Sequence, residues 1–208
     1  MRLAILGASG HGKVVADTAV LSGWHRVFFF DDAWPGVSEN GPWSVIGRTE
    51  ELVARASEFD GVIVAIGNNA VRSERQHELL AVGFDVVSVI HPSAVISAHA
   101  GIGAGSVVFA NAVVNACASI GAGCIVNTGA VVEHDCVVGD FSHVSPNAVL
   151  AGGVSVGHRV WVGAGASVKQ QVVLGDEVTV GMGSAVLRNV PAGHTVVGVP
   201  ARSVHYQD

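Results

Sequence analysis

From Ile90 to Val186 every sixth residue is Ile, Val or Leu, through Ile102, Val114, Val126, Val138, Leu150, Val162 and Leu174 without a slip. Two places before these stand small or β-branched residues, among them Ala100, Ser106, Ala112, Cys124, Ala130, Cys136, Ser142 and Ala148. Glycine often comes directly after, as Gly103, Gly121, Gly139, Gly157, Gly163, Gly175 and Gly181. A helix repeats near 3.6 residues and a strand at 2, so neither accounts for a period of six. A hexapeptide β-helix does. Each hexad is a short strand and a turn, with the aliphatic residue inside, the small residue near the corner and glycine expected to permit the turn. Three hexads close a triangular coil of about 18 residues, giving five to six coils over residues 90–190. The hand of the coil does not follow from periodicity.

Composition agrees with a tightly turned β-rich chain. Among its 208 residues there are 27 glycines, 50% are hydrophobic and only 13% are charged, against roughly 25% charged in an average domain. The net charge of -6 opposes binding to a phosphate backbone, which requires clustered Lys and Arg. Polar residues and glycines interrupt every apolar run, so no membrane span is expected. Met1–Leu6 leads into a glycine loop and not into a cleavage site, and no signal peptide is expected. Cys117, Cys124 and Cys136 form no CxxC pair and are odd in number, which fits reduced thiols in the cytoplasm. Cys124 and Cys136 fall on small interior positions and read as core.

Residues 1–89 follow other rules. Leu3–Leu6, Val27–Phe30, Val62–Ile66 and Asp85–Val89 read as buried strands, with helices from about Lys13 to Leu21 and Val71 to Ala81, and a short helix capped by Thr49. A loop is expected around Pro35, Gly36, Gly41 and Pro42. Alternation of this kind implies a small parallel, Rossmann-like sheet covered on both faces. Residues 191–208, past the last hexad, read as a cap on the open coil end.

The coil geometry selects candidates for chemistry. His134 lies two places after an interior aliphatic residue and should point outwards near a corner, with Asp135 beside it. Gly152 is 18 residues on and therefore directly above, where a glycine leaves its backbone N–H approachable. A base next to an oxyanion donor suits aminolysis of a thioester. His143 falls half a coil away, and could meet His134 only across a subunit interface or through a ligand. Asn127 could be a ladder residue or a ligand contact. At the other end Gly7-x-x-Gly10-x-Gly12, between a strand and a helix, could cradle phosphates or be a plain turn; it is not the dinucleotide G-x-G-x-x-G.

Taken in order, Gly7-Ala8-Ser9-Gly10-His11-Gly12-Lys13, Phe30-Asp31-Asp32, His91-Pro92-Ser93-Ala94, Asn127-Thr128, Glu133-His134-Asp135-Cys136, Phe141-Ser142-His143 and Val197-Gly198-Val199-Pro200 resemble the sialic acid O-acetyltransferase/bacillosamine N-acetyltransferase family. The similarity is greatest to UDP-4-amino-sugar N-acetyltransferases and runs over almost the whole chain. It implies a left-handed parallel β-helix and acetyl-CoA as co-substrate, with no metal. His134 would be the general base assisted by Asp135, where relatives often carry Glu; Asn127, His143 and Gly152 would line the acetyl-transfer site. Ser9, Gly10, His11, Lys13, Asp31, Asp32, Gly67 and Asn68 would hold the nucleotide-sugar, and Gly152, Gly163, Ala164, Gly181 and Pro200 would border coenzyme A. A homotrimer with sites shared between subunits is expected. Two rivals keep the same fold and machinery: O-acetylation of sialic acid, and N-acetylation of a GDP-amino sugar. A more distant one is a metal enzyme of the γ-carbonic anhydrase type, built on His134, His143 and His158.

Overall fold

The computed structural model describes residues 1–204; the end of the expected 191–208 cap lies outside the described residues. The chain divides into two compact units, Met1–Pro92 and one beginning at Ser93.

The first unit runs β1 (Arg2–Leu6), α1 (Gly10–Leu21), β2 (Arg26–Phe30), β3 (Glu39–Asn40), β4 (Trp43–Ser44), α2 (Thr49–Ala54), β5 (Gly61–Val64) and α3 (Asn69–Ala81). Strands β2, β1 and β5 form a parallel sheet in that order. Leu3, Ala4, Ile5, Val62 and Ile63 are wholly buried, the mark of a sheet covered on both sides. On one face Ala4, Leu6, Phe30, Val62 and Val64 pack with Leu52 of α2 and Leu79 of α3. Elsewhere α1 approaches β2 so closely that a Cβ on Gly12 would lie 3.0 Å from the Phe29 ring.

Several local expectations are corrected. Helix α1 starts at Gly10, three residues before Lys13. Helix α3 starts at Asn69 because the Asn68 side chain accepts the Val71 N–H at 3.0 Å, a capping bond typical of Asn. Thr49 is the first helical residue of α2, not its cap: Arg48 takes that place, its N–H donating to Glu51 Oε2 at 2.8 Å. The Pro35–Pro42 loop holds one strand of the β3–β4 hairpin. The expected strand Asp85–Val89 is broken, with Val86 bridging Val62 and Val89–Ile90 forming a separate short strand.

The second unit is a parallel β-solenoid of about six turns. Its strands are two residues long and stack in 18-residue register, Val113 on Val131 on Val149 on Ser167 on Ala185. Three faces result, one starting at Val95–Ile96, one at Gly101–Ile102 and one containing Val107–Val108. The interior residues are the hexad aliphatics, with Val126, Val132, Leu150, Val162 and Val180 fully buried. Interior hydroxyls are satisfied: Ser142 Oγ donates to Gly157 O at 2.8 Å and accepts the Val160 N–H at 3.0 Å. Cys124 and Cys136 are buried.

The turn is made elsewhere than expected. A left-handed backbone recurs at every sixth residue from Gly105 to Glu177 and Gly183, including Asn111, Cys117, Asp135, Phe141, Asn147, Arg159 and Gln171, with φ from 54° to 74°. These stand three residues after the aliphatic. The glycine immediately after it serves close approach instead: a Cβ on Gly139 would lie 2.6 Å from the carbonyl group of Gly157 in the next coil.

Candidate active site

His134 and Asp135 leave the solenoid at the corner that follows Val131–Val132. Asp135 is one of the left-handed turn residues, φ 61°, a conformation that Asp tolerates better than most side chains. Its Oδ2 lies 2.8 Å from His134 Nδ1. That bond places the proton on Nδ1 and leaves the Nε2 lone pair outward as an acceptor. The hydrogen bond to Asp135 raises the pKa of His134 above its ordinary value; slight desolvation opposes this, and the charges of Asp135 and Glu133 add to it.

Gly152 meets this ring as the 18-residue stacking requires. A Cβ there would stand 2.6 Å from both Cε1 and Nε2 of His134. Its carbonyl accepts the Gln171 N–H at 3.0 Å, while its own N–H makes no hydrogen bond among the described residues. The arrangement thus sets a basic nitrogen against a backbone strip with a donor to spare.

A second group lies on another face. Asn127 Oδ1 accepts the Thr128 N–H at 2.8 Å, so the amide turns its Nδ2 donor to His143 Nε2 at 3.0 Å. His143 is therefore a neutral Nδ1–H imidazole in this arrangement. One coil above it stands Trp161, 45% exposed, its indole fixed by a bond from Nε1 to Ser145 Oγ at 2.7 Å. Sequence reading missed Trp161, although the step of 18 from His143 reaches it. His158 belongs to a third corner, where it has a structural part. Asp140 Oδ1 accepts the Ala122 N–H, His158 Nδ1 accepts the Asp140 N–H, and Asp176 Oδ1 accepts the His158 N–H, at 2.8, 3.1 and 2.7 Å. Among the described residues no three His, Cys, Asp or Glu side chains are grouped to hold a metal ion.

In the first unit a cleft of about 300 Å3 is lined by Leu6, Gly7, Ser9, Asp31, Asp32, Thr49, Ile66, Gly67, Val71 and Arg75. Four of the expected nucleotide-sugar residues, Ser9, Asp31, Asp32 and Gly67, are among them; Gly10, His11, Lys13 and Asn68 are not. The acids also brace the walls. Asp31 accepts the N–H groups of Ala8 and Ala33 at 2.8 and 2.9 Å. Asp32 Oδ1 accepts the Thr49 hydroxyl at 2.7 Å, and this bond above all holds its pKa low, with Arg75 and Arg48 contributing. His11 is kept neutral, its pKa pushed down to about 4 by burial and by the charge of Arg72. Thr49 and Arg75 escaped sequence reading because they come from elements with no periodic relation to the glycine loop.

Of the residues expected to border coenzyme A, Gly163 and Gly181 hold the ladder of the later coils through bonds to Val180 O and Val196 O, and the Ala164 carbonyl accepts the Gly183 N–H. Pro200 is exposed beyond them. A separate pocket of about 190 Å3 near the chain end is lined by residues including Arg188, His194, Arg202 and Ser203, and by none of those four.

The fold and these sites define a hexapeptide-repeat solenoid protein with an N-terminal α/β unit, and comparisons with known proteins agree. Residues 2–79 match the family described as the PglD N-terminal domain. A UDP-N-acetylbacillosamine N-acetyltransferase of Bacillus subtilis (strain 168) is 40% identical over 113 residues, covering 50% of this chain and 49% of the relative. The match thus spans about half the length of that curated relative. The acetyltransferase domain of PglB from Neisseria gonorrhoeae FA1090, solved in complex with acetyl coenzyme A, superposes with a TM-score of 0.93 at 41% identity, covering 98% of both chains. PerB from Caulobacter crescentus, solved in complex with CoA and GDP-perosamine, gives 0.94 at 36% identity, covering 99% of this chain and 98% of PerB. The chain belongs to the bacillosamine N-acetyltransferase family of hexapeptide-repeat proteins.

Proposed function

We propose that this protein transfers the acetyl group of acetyl-CoA directly to the amine of a UDP-linked 4-amino-4,6-dideoxy sugar, in the cytoplasm, during bacterial glycan biosynthesis. The observation that carries the reading is the outward Nε2 of His134, tied through Nδ1 to Asp135 and set against Gly152. In the proposed step the sugar amine attacks the thioester carbon and His134 Nε2 takes the proton that the amine loses. Asp135 steadies the imidazolium. The thioester oxygen, now negative, is met by the Gly152 N–H. Collapse breaks the C–S bond, and the imidazolium returns the proton to the departing thiolate, so no covalent enzyme intermediate is needed. Asn127 and His143, brought to His134 from a neighbouring subunit, line the acetyl-transfer site; Gly163, Ala164, Gly181 and Pro200 border the coenzyme; the cleft of the first unit, with Ser9, Asp31, Asp32 and Gly67 in its lining and the adjoining Gly10, His11, Lys13 and Asn68, holds the nucleotide. A homotrimer with the coenzyme held between neighbouring subunits completes the assembly.

The test is thiol release from acetyl-CoA with UDP-4-amino, GDP-4-amino and sialic acid acceptors, for wild type and His134→Ala. Turnover confined to a UDP-amino sugar and lost in the variant supports the reading. The likeness to PerB favours a GDP-sugar as the second reading, and turnover on GDP-amino sugars alone would select it. Turnover on sialic acid alone moves the acceptor to a hydroxyl. Release with none of them overturns the proposal.

A further inference from the structure

Arg72 is the largest fully buried side chain described, 1% exposed, on the second turn of a helix otherwise rich in solvated charge. A guanidinium does not lose its charge in a protein, so its burial demands a full set of acceptors. The structure supplies them from the segment that joins β5 to α3. Nη1 donates to Ile66 O at 2.9 Å and to Gly67 O at 3.1 Å, and Nη2 donates to Asn69 Oδ1 at 2.8 Å. Two consecutive carbonyls are thus pulled inward onto one cation.

In a trans peptide the C=O of one residue and the N–H of the next point in opposite directions. Drawing the Ile66 and Gly67 carbonyls onto Arg72 therefore turns the N–H groups of Gly67 and Asn68 away from it. Neither N–H has a hydrogen-bond partner among the described residues, and Ile66 and Gly67 line the cleft. No left-handed turn contributes: Gly67 has no left-handed φ and Asn68 is extended, φ −67° and ψ 120°.

We infer that Arg72 is a positioning residue for the nucleotide cleft: by holding two carbonyls it presents the N–H of Gly67, on the cleft wall, and that of Asn68, next along the chain, as a donor pair for acceptor oxygens of a nucleoside diphosphate. The inference rests on the reading of this cleft as the nucleotide site. Arg72 itself is sealed from the ligand and acts only through the peptide planes. Its role differs from that of Arg75, one turn further along α3, which reaches the cleft wall directly.

The experiment is calorimetric titration of the full-length protein with UDP and with GDP, together with steady-state kinetics. Arg72→Met is expected to weaken nucleotide binding and raise the nucleotide-sugar KM by about 10- to 100-fold. Its kcat and acetyl-CoA KM should stay within about twofold of wild type. Arg72→Lys, which keeps charge but not the fork, should fall between. A second pair decides the matter if Arg72→Met does not fold. Proline suits the φ of Asn68 and deletes its N–H, so Asn68→Pro should bind at least about tenfold more weakly than Asn68→Ala, the two having lost the same cap. Equal affinities in that pair, or a folded Arg72→Met that binds as wild type does, overturn the inference while leaving the cleft as the nucleotide site. Wild type that binds neither nucleotide removes the reading beneath it.

Discussion

The Nδ1 of His134 lies 2.8 Å from Asp135 Oδ2, on a residue whose left-handed φ of 61° is set by the solenoid turn itself. The architecture that makes the corner therefore also places the carboxylate on the imidazole. Asp135 raises the pKa of His134, and a base works only in its neutral form, so the acid limb of kcat/KM should lie above the ordinary histidine value of 6.5. In Asp135→Asn the limb should move to lower pH and the plateau should fall, because the tautomer is no longer held. An acid limb that stays in place would assign it to another group. His134→Ala should cost about 10²- to 10⁴-fold in kcat/KM.

Gly152 has no left-handed φ, so alanine there meets no backbone penalty and tests contact alone. Its Cβ would stand 2.6 Å from His134 Nε2 and must displace the ring. We expect Gly152→Ala to lower kcat by at least about tenfold with thermal stability near that of wild type. Full activity would mean that the ring works in a position other than the one seen.

The two classes of solenoid glycine should separate in denaturation experiments. A Cβ on Gly139 runs into the backbone of Gly157, whereas at Gly165, φ 67°, nothing lies within 4 Å. Overpacking of this kind costs about 1–3 kcal/mol, and Asn accepts a left-handed backbone. Gly139→Ala should therefore be clearly destabilising and Gly165→Asn nearly neutral; the reverse order would contradict the assignment of turn and contact.

Those glycines also show where reading the sequence stops. The period of six reports which side chains face inward, and with it the stacking of Gly152 on His134, because both follow from counting. It says nothing of the sign of φ, so counting alone assigns the turn to glycines such as Gly139, whereas Asp135, Phe141 and Arg159 make it. The cleft of the first unit is less legible still. Arg75 and Thr49 come from separate elements, and only the packed sheet brings them beside Gly7 and Asp31.

His11 allows a stability test with a definite sign. Its pKa falls from 6.5 to about 4 in the folded chain, through burial and then the charge of Arg72. Between these values the unfolded chain holds a proton that the folded chain refuses, so stability drops as pH falls from 6.5 towards 4 and is insensitive to His11 above 6.5. The full effect is at most about 3 kcal/mol. Carboxylates titrate in part of the same window, so the informative quantity is the difference between wild type and His11→Asn. Urea unfolding from pH 4 to 7.5 should give a wild-type curve steeper than that of the variant between 4 and 6.5, and parallel to it above. Parallel curves throughout would mean that His11 takes up its proton in the folded protein as readily as in the unfolded chain.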